Sequence, residues 1–266
     1  VGDEARHDAR HEARDDAGPE ARDDAGPEAG PQARDEDESD RDFWRRMTPP
    51  AEPLRWPLAA VAESPAGRAF APSLEAPGGT PRPDQVEVPL AQSAARAVRE
   101  LAARAGVPLE AVLLAAFQEF AHRVTGQDEL RIHVSGHARV YEELAAAVGP
   151  LRRWLPLDVR RDESRTLAGL ASATRRALDQ AREHQFGLDP GDQASAAGLA
   201  FDHVARAPGA GPTLAHLYAF DAPHLLTCFS VDDGERLALS LIHDQARMPA
   251  HVAEHWAGSL AAWLEV

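Results

Sequence analysis

The stretch Leu101 to Leu130, LAARAGVPLEAVLLAAFQEFAHRVTGQDEL, decides how this chain folds. Its first part completes a pattern that begins at Gln92. Ala95, Val98, Leu101 and Ala102 share one side of a 3.6-residue period, which predicts a helix over Gln92–Ala105. Gly106 is its stop, because glycine takes the left-handed conformation that ends a helix at no steric cost. A second helix starts after Pro108. It carries Val112, Leu113, Ala116, Phe117 and Phe120 at helical spacing and ends near Thr125-Gly126. Leu130–Val134 then reads as a short strand.

Working outward, Gln85–Leu90 (QVEVPL) alternates apolar and polar residues, as a half-buried strand does. Downstream the pattern predicts a helix over Tyr141–Val148 stopped by Gly149, a strand over Trp154–Val159 and a long helix over Leu167–His184. Three or four strands follow, at Gly198–Val204, Leu214–Phe220, Leu225–Val231 and Arg236–His243, with Asp232-Asp233-Gly234 as a tight-turn signal between the last two. A final amphipathic helix spans Pro249–Leu264. This order predicts an α/β sandwich with a mixed sheet and flanking helices, and the closing hairpin argues against a doubly wound parallel sheet.

The amino-terminal segment is different in kind. Its first 42 residues hold 16 Asp or Glu against 6 Arg, and apart from Val1 no aromatic or β-branched residue, so they cannot bury enough apolar surface to fold alone. The octet ARDDAGPE stands at Ala13–Glu20 and again at Ala21–Glu28, followed by the degenerate copy AGPQARDE. An octet with a Gly-Pro break and nothing apolar to stack is a solvated spacer. Residues 1–41 are therefore expected to be a disordered acidic linker, and residues 42–266 the globular unit. The first 42 residues contribute 6 minus 16, or -10, of the formal charge of -15, which leaves -5 on the rest.

Several function classes drop out on composition. All 28 cationic residues are Arg, spread without a basic stripe in an acidic chain, which argues against a nucleic-acid partner. No run reaches the 18 or so apolar residues of a membrane span. Charge stands where a signal peptide would have its apolar segment. Cys228 is the single cysteine, lies in an apolar run and reads as a small buried hydrophobe, so a reducing, cytoplasmic setting is expected. The chain opens on Val1, not Met, which points to a processed product or a piece of a longer reading frame.

The ordered series of motifs resembles one family. The stretch from Leu101 to Leu130, with its R-x-T-G-Q-D-x turn at Arg123–Glu129, is similar to the start of the carboxyl-terminal lobe of nonribosomal peptide synthetase condensation domains. GHARVYEELAAAVGPLRRWLPLDV, Gly136 to Val159, resembles that family's Gly-x-x-Arg turn, E-L helix, V-G break and L-P-L strand, with Arg139, Gly149 and Pro156 in register. Glu183-His184-Gln185 matches its helix-ending H-Q, and Phe43-Trp44-Arg45-Arg46 resembles the Y-W-R segment that opens the connection between lobes. The likeness covers about residues 43 to 265 and is densest from Val86 to Gln185.

The resemblance implies a chloramphenicol-acetyltransferase-like lobe. It also implies a partner lobe that carries the catalytic H-H-x-x-x-D-G, and between the lobes a tunnel admitting two phosphopantetheine arms from carrier proteins. This chain contains no His-His pair. The H-x-x-x-D at His11–Asp15 lies in the spacer, which cannot hold a base within reach of a nucleophile. The expectation is thus a lobe with no catalytic residue of its own and no directly bound cofactor. Its partners would be acyl or peptidyl carrier domains and the missing amino-terminal lobe.

Departures from the family pattern mark the candidate channel or lobe-interface residues. Arg153, Trp154 and Asp158 stand where the family has Asn, Thr and a closing Arg, and a carboxylate in place of a cation changes the field on anything bound beside it. His184-Gln185-Phe186-Gly187-Leu188 lacks the family's Pro. Arg139 and His184 complete the set. His184 stands at the tunnel mouth or, the preferred reading, interacts with the end of its helix. His251 and His255 share a helix face but have no third ligand, so no metal is expected. Ser135-Gly136-His137 lacks a nucleophile elbow and reads as a strand-ending turn. Asp221, Asp232, Asp233 and Asp244 read as turn caps. Two functions remain open: a peptide-bond-forming lobe, or a degenerate module that binds carrier proteins or recruits a tailoring enzyme through its remaining arginines.

Overall fold

The computed structural model describes residues 39–46, 54, 82–137, 152–162, 166–189, 198–206, 224–245 and 247–265. The expected helix at 141–148, the expected strand at 214–220, Arg139, Asp221 and most of the acidic linker lie outside them. A short helix, α1, covers residues 39–46 and so begins three residues inside the segment read as linker. Then come β1 (Pro83–Val88), α2 (Gln92–Ala105), α3 (Leu109–Thr125), β2 (Glu129–His137) and β3 (Arg152–Arg160). The order continues with α4 (Leu167–Glu183), a single 3-10 turn (Gln185–Gly187), β4 (Leu199–Ala205), β5 (Leu226–Asp232), β6 (Leu237–Asp244) and α5 (Ala250–Leu264).

The punctuation works as read. Gly106 and Gly126 both sit at φ 65°, and their amides close α2 and α3 on the carbonyls of Ala102 and His122. Thr166 starts α4 by accepting from the Gly169 amide at 3.2 Å. The α3 sequence is apolar nearly all round, and its side chains from Ala111 to Ala116, with Phe117, Phe120 and Ala121, are buried against α2, α4, α5 and the sheet.

Six strands form one mixed sheet in the order β1-β6-β5-β4-β2-β3. β4 runs parallel to β5 and to β2, and the other pairs are antiparallel. Parity along each strand splits the side chains into two faces. One, with Ile132, Val134, Leu155, Leu157, Leu199, Phe201, Cys228, Leu239 and Leu241, builds the core under the helices. The other is more polar and carries His133, Ser135, Trp154, Asp202, Thr227 and Ser240 in mutual register. The β5–β6 turn is held by the Asp233 carboxylate accepting the amides of Glu235 and Arg236, with Gly234 at φ 88°.

Most boundaries shift by one or two residues from the sequence reading, and two differences are larger or of another kind. The first strand begins at Pro83 and stops at Val88, before Pro89. Proline gives a ladder no N–H, so it is tolerated at the first residue of the strand but ends its far side. Ser135-Gly136-His137 is not a turn: it continues β2, facing Trp154, Arg153 and Arg152 of β3. Gly136 is needed there, since a Cβ would sit 2.7 Å from Leu155 Cδ1.

Candidate functional site

The candidate residues fall in three places. Arg153 projects from the start of β3 to the end of α4, where Nη1 donates to the Gln185 carbonyl at 3.0 Å and the guanidinium lies 5.2 Å over the Phe186 ring. His184 is close by in sequence and space. Its Nδ1 lies 2.7 Å from Asp40 Oδ1, its ring stacks on Phe43 at 4.2 Å, and its carbonyl accepts from Trp44 Nε1 at 2.6 Å. His184 therefore straps α1 onto the end of α4, and Gly187 leaves room for the Asp40 backbone, which would come within 2.4 Å of a Cβ.

Deeper along the same edge, Arg182 holds Glu110 with both ends of its guanidinium, at 2.8 and 2.5 Å, and donates to the Ser135 carbonyl at 3.1 Å. Burial works against the Arg182 charge, but the hydrogen bond and charge of Glu110 override it and raise its pKa. Glu110→Gln is expected to cost about 2 kcal/mol, below the 3–5 of a fully buried pair because Arg182 stays 32% exposed. Urea unfolding checks this. The double variant with Arg182→Met should lose clearly less than the sum of the single losses, whereas additive losses would mean the pair is not coupled.

Trp154 points to the other face. It is buried, with the Arg152 guanidinium 5.7 Å over its ring and His224 edge-on at 4.7 Å. His224 Nε2 and His133 Nδ1 are 2.8 Å apart. Burial pushes His133 down to about 4, helped by the charge of Arg131, and His224 down to about 3, helped by His133 and Arg247. Both rings are neutral at pH 7, one donating and the other accepting. Beside them Ser135 Oγ donates to Asp202 Oδ1 at 2.5 Å, and Arg152 lies 3.2 Å from the other carboxylate oxygen.

Asp158 is at the far end of β3. Arg131, directly opposite in register, donates to both its oxygens at 2.7 and 2.9 Å. The Asp158 carboxylate is therefore neutralised within the sheet. Arg153 and His184 are brought together, while Trp154 and Asp158 are not. Asp202, Glu110 and Arg182 escaped the sequence reading. A lone carboxylate in the otherwise apolar LAFDHVA was the available signal, because a charge buried in a strand demands a partner.

The contacts of these groups are internal to the lobe. Ser135 faces a carboxylate with no imidazole between them, and His203 bonds Ser230 at 2.8 Å instead. Cys228 is fully enclosed and its thiol is pushed up to about 12 by burial. His251 and His255 are exposed on α5. Among the described residues no three His, Cys, Asp or Glu side chains are placed to hold a metal, and no helix is long and apolar enough to cross a membrane.

The condensation domain family profile matches residues 30–188. Among solved structures, the chain is similar to the condensation domain from the Monacolin K polyketide synthase MokA, with a TM-score of 0.69 at 17% identity over 88% of this chain and 57% of that one. It is similar to the first condensation domain of the calcium-dependent antibiotic synthetase in complex with a substrate analogue, with a TM-score of 0.62 at 15% identity over 88% and 53%. It is also similar to the complex of the X-domain and OxyB from teicoplanin biosynthesis, with a TM-score of 0.60 at 16% identity over 86% and 52%. The chain thus spans just over half the length of these structures. No curated protein matches it.

Proposed function

Because the chain belongs to the condensation domain family, we propose that the chain from α1 onward serves as the carboxyl-terminal lobe of a domain joining a carrier-bound acyl or peptidyl thioester to a carrier-bound amino acid, with the acidic repeat before α1 as a spacer. In that reaction the amine nitrogen attacks the thioester carbonyl carbon, the C–S bond breaks, and the proton released by the amine leaves with the donor thiol. The two phosphopantetheine arms are cargo of the carriers. The lobe contributes positioning, which turns a bimolecular encounter into an effectively intramolecular one. The His base belongs to a separate amino-terminal lobe.

One observation carries this reading. Almost the whole chain, 88%, overlays only 57% of a condensation domain, and its full sequence holds no His-His pair. The purified 266-residue chain is expected to form no amide from paired carrier-bound substrates, and turnover by it alone would overturn the division of labour. The coding locus upstream of Val1 supplies the second check. An in-frame H-H-x-x-x-D-G supports a two-lobe enzyme, and a stop codon there transfers the role to a binding module.

That second reading, a non-catalytic module recruiting carrier proteins or a tailoring enzyme, is favoured by the engagement of Arg153 with Gln185 and of Asp158 with Arg131. Both departures from the family pattern are spent on internal contacts. Carrier proteins failing to bind at low salt would remove it.

A further inference from the structure

Between α3, α4 and the outgoing end of β3 lies a cavity of about 400 Å³, within the size range of small-molecule sites. It lies at the opposite end of β3 from Arg153, so it is separate from the proposed lobe interface. Val159, Leu170 and Ala177 give it apolar walls. Gln118 and His122, one turn apart on α3, line it while only 3% exposed.

Each of these two side chains has one end tied down. The Thr174 hydroxyl donates to Gln118 Oε1 at 3.0 Å, which leaves the Gln118 amide nitrogen as donor. His122 Nδ1 donates to the Gln127 carbonyl at 2.8 Å, which leaves Nε2 as acceptor. Burial lowers the His122 pKa and keeps that lone pair available at neutral pH. Among the described residues the hydrogen bonds to Thr174 and Gln127 engage the other end of each side chain, so both nitrogens can meet a water or a ligand in the cavity that the two side chains line. Of the charged groups at the rim, Asp158 is paired with Arg131, Glu119 with Arg123 and Arg160 with Glu129, and Arg161 and Asp162 line it as well.

We propose that this cavity binds a small neutral molecule bearing a primary carboxamide or a lactam, whose carbonyl oxygen accepts from Gln118 Nε2 and whose N–H donates to His122 Nε2. Residues one turn apart on a helix have Cβ atoms about 5–6 Å apart, so donor and acceptor stand side by side on the cavity wall. Primary carboxamides and lactams present C=O and N–H on the same edge. A trans secondary amide presents them on opposite edges. The apolar walls take the body of the molecule.

Benzamide is the probe, titrated into the 266-residue chain by saturation-transfer NMR and calorimetry. Saturable binding is expected. N,N-dimethylbenzamide lacks the N–H and benzoate is charged, and each should bind at least tenfold more weakly. Gln118→Met removes the donor, and His122→Asn withdraws the acceptor from the Nε2 position while its amide can still reach the Gln127 carbonyl; each should weaken benzamide at least tenfold at unchanged circular dichroism. Absence of saturable binding to the unmodified chain, or equal binding of benzamide and its dimethyl analogue, overturns the proposal even if a variant fails to fold. The assay needs no carrier protein and no second lobe, so it succeeds or fails independently of the proposed function.

Discussion

Acidification from pH 7 to pH 4.5 should cost the chain about 2–3 kcal/mol for each ring of the His133–His224 pair, at 1.36 kcal/mol per pKa unit. The pair sits under Trp154 on the polar face of the sheet, with His133 lowered to about 4 and His224 to about 3, in each case chiefly by burial. A histidine whose folded pKa lies below its ordinary 6.5 takes up its proton on unfolding. Its stabilisation is therefore complete above pH 6.5 and is lost as pH falls from there toward 4 and then 3. Burial also lowers His122, His203 and His243, which add to the same slope.

The variant His133→Leu/His224→Phe isolates the pair, because replacing both partners of a buried hydrogen bond by apolar groups is close to neutral at pH 7. Urea midpoints at pH 7 and 4.5 should converge in the variant relative to the unmodified chain. Parallel pH dependence of the two proteins would show that the rings are not buried as a neutral pair.

Trp44→Ala is the second large effect. Trp44 is 3% exposed although it lies on a helix of only eight residues, and it joins the main core. Such a short helix has no stability of its own in water, so α1 depends on its docking through Trp44, Phe43 and the Asp40–His184 contact. Removing the indole should cost about 3–5 kcal/mol, as large-to-small changes at buried aromatic sites do. In a domain of this size that corresponds to a fall in Tm of roughly 6–20 °C at 2–4 °C per kcal/mol.

Trp44→Phe separates the two causes. It keeps most of the apolar area and loses the Nε1–H bond to the His184 carbonyl, a net contribution of about 1 kcal/mol. Tryptic cleavage at Arg45 and Arg46 should accelerate in the alanine variant and change little in the phenylalanine one. An unchanged Tm and cleavage rate in Trp44→Ala would mean that α1 is not docked on α4.

The elements whose ends are marked by backbone chemistry were legible in the chain. α2 and α3 run between Gln92 and Thr125 as the periodicity, Gly106, Pro108 and Gly126 predict, because left-handed glycine and proline act locally. β2 is the instructive counterexample. Ser135-Gly136-His137 has turn composition, yet it stays extended because Arg152, Arg153 and Trp154 supply a ladder partner. Local preference there is weaker than pairing, and pairing is not written at that position.

The candidate site divides on the same line. The chain alone determined its apolar periodicities, its resemblance to the condensation family and the lack of a His-His pair, all of which depend on residue identity and spacing along a few turns or strands. Tertiary structure decided where the charges go. Asp158 meets Arg131 across a strand pair 27 residues apart, and His184 meets Asp40 across 144. A one-residue change of register would turn every side chain of a strand to the opposite face, and whether a buried charge is tolerated depends on a partner brought from elsewhere in the chain. No local pattern carries that information.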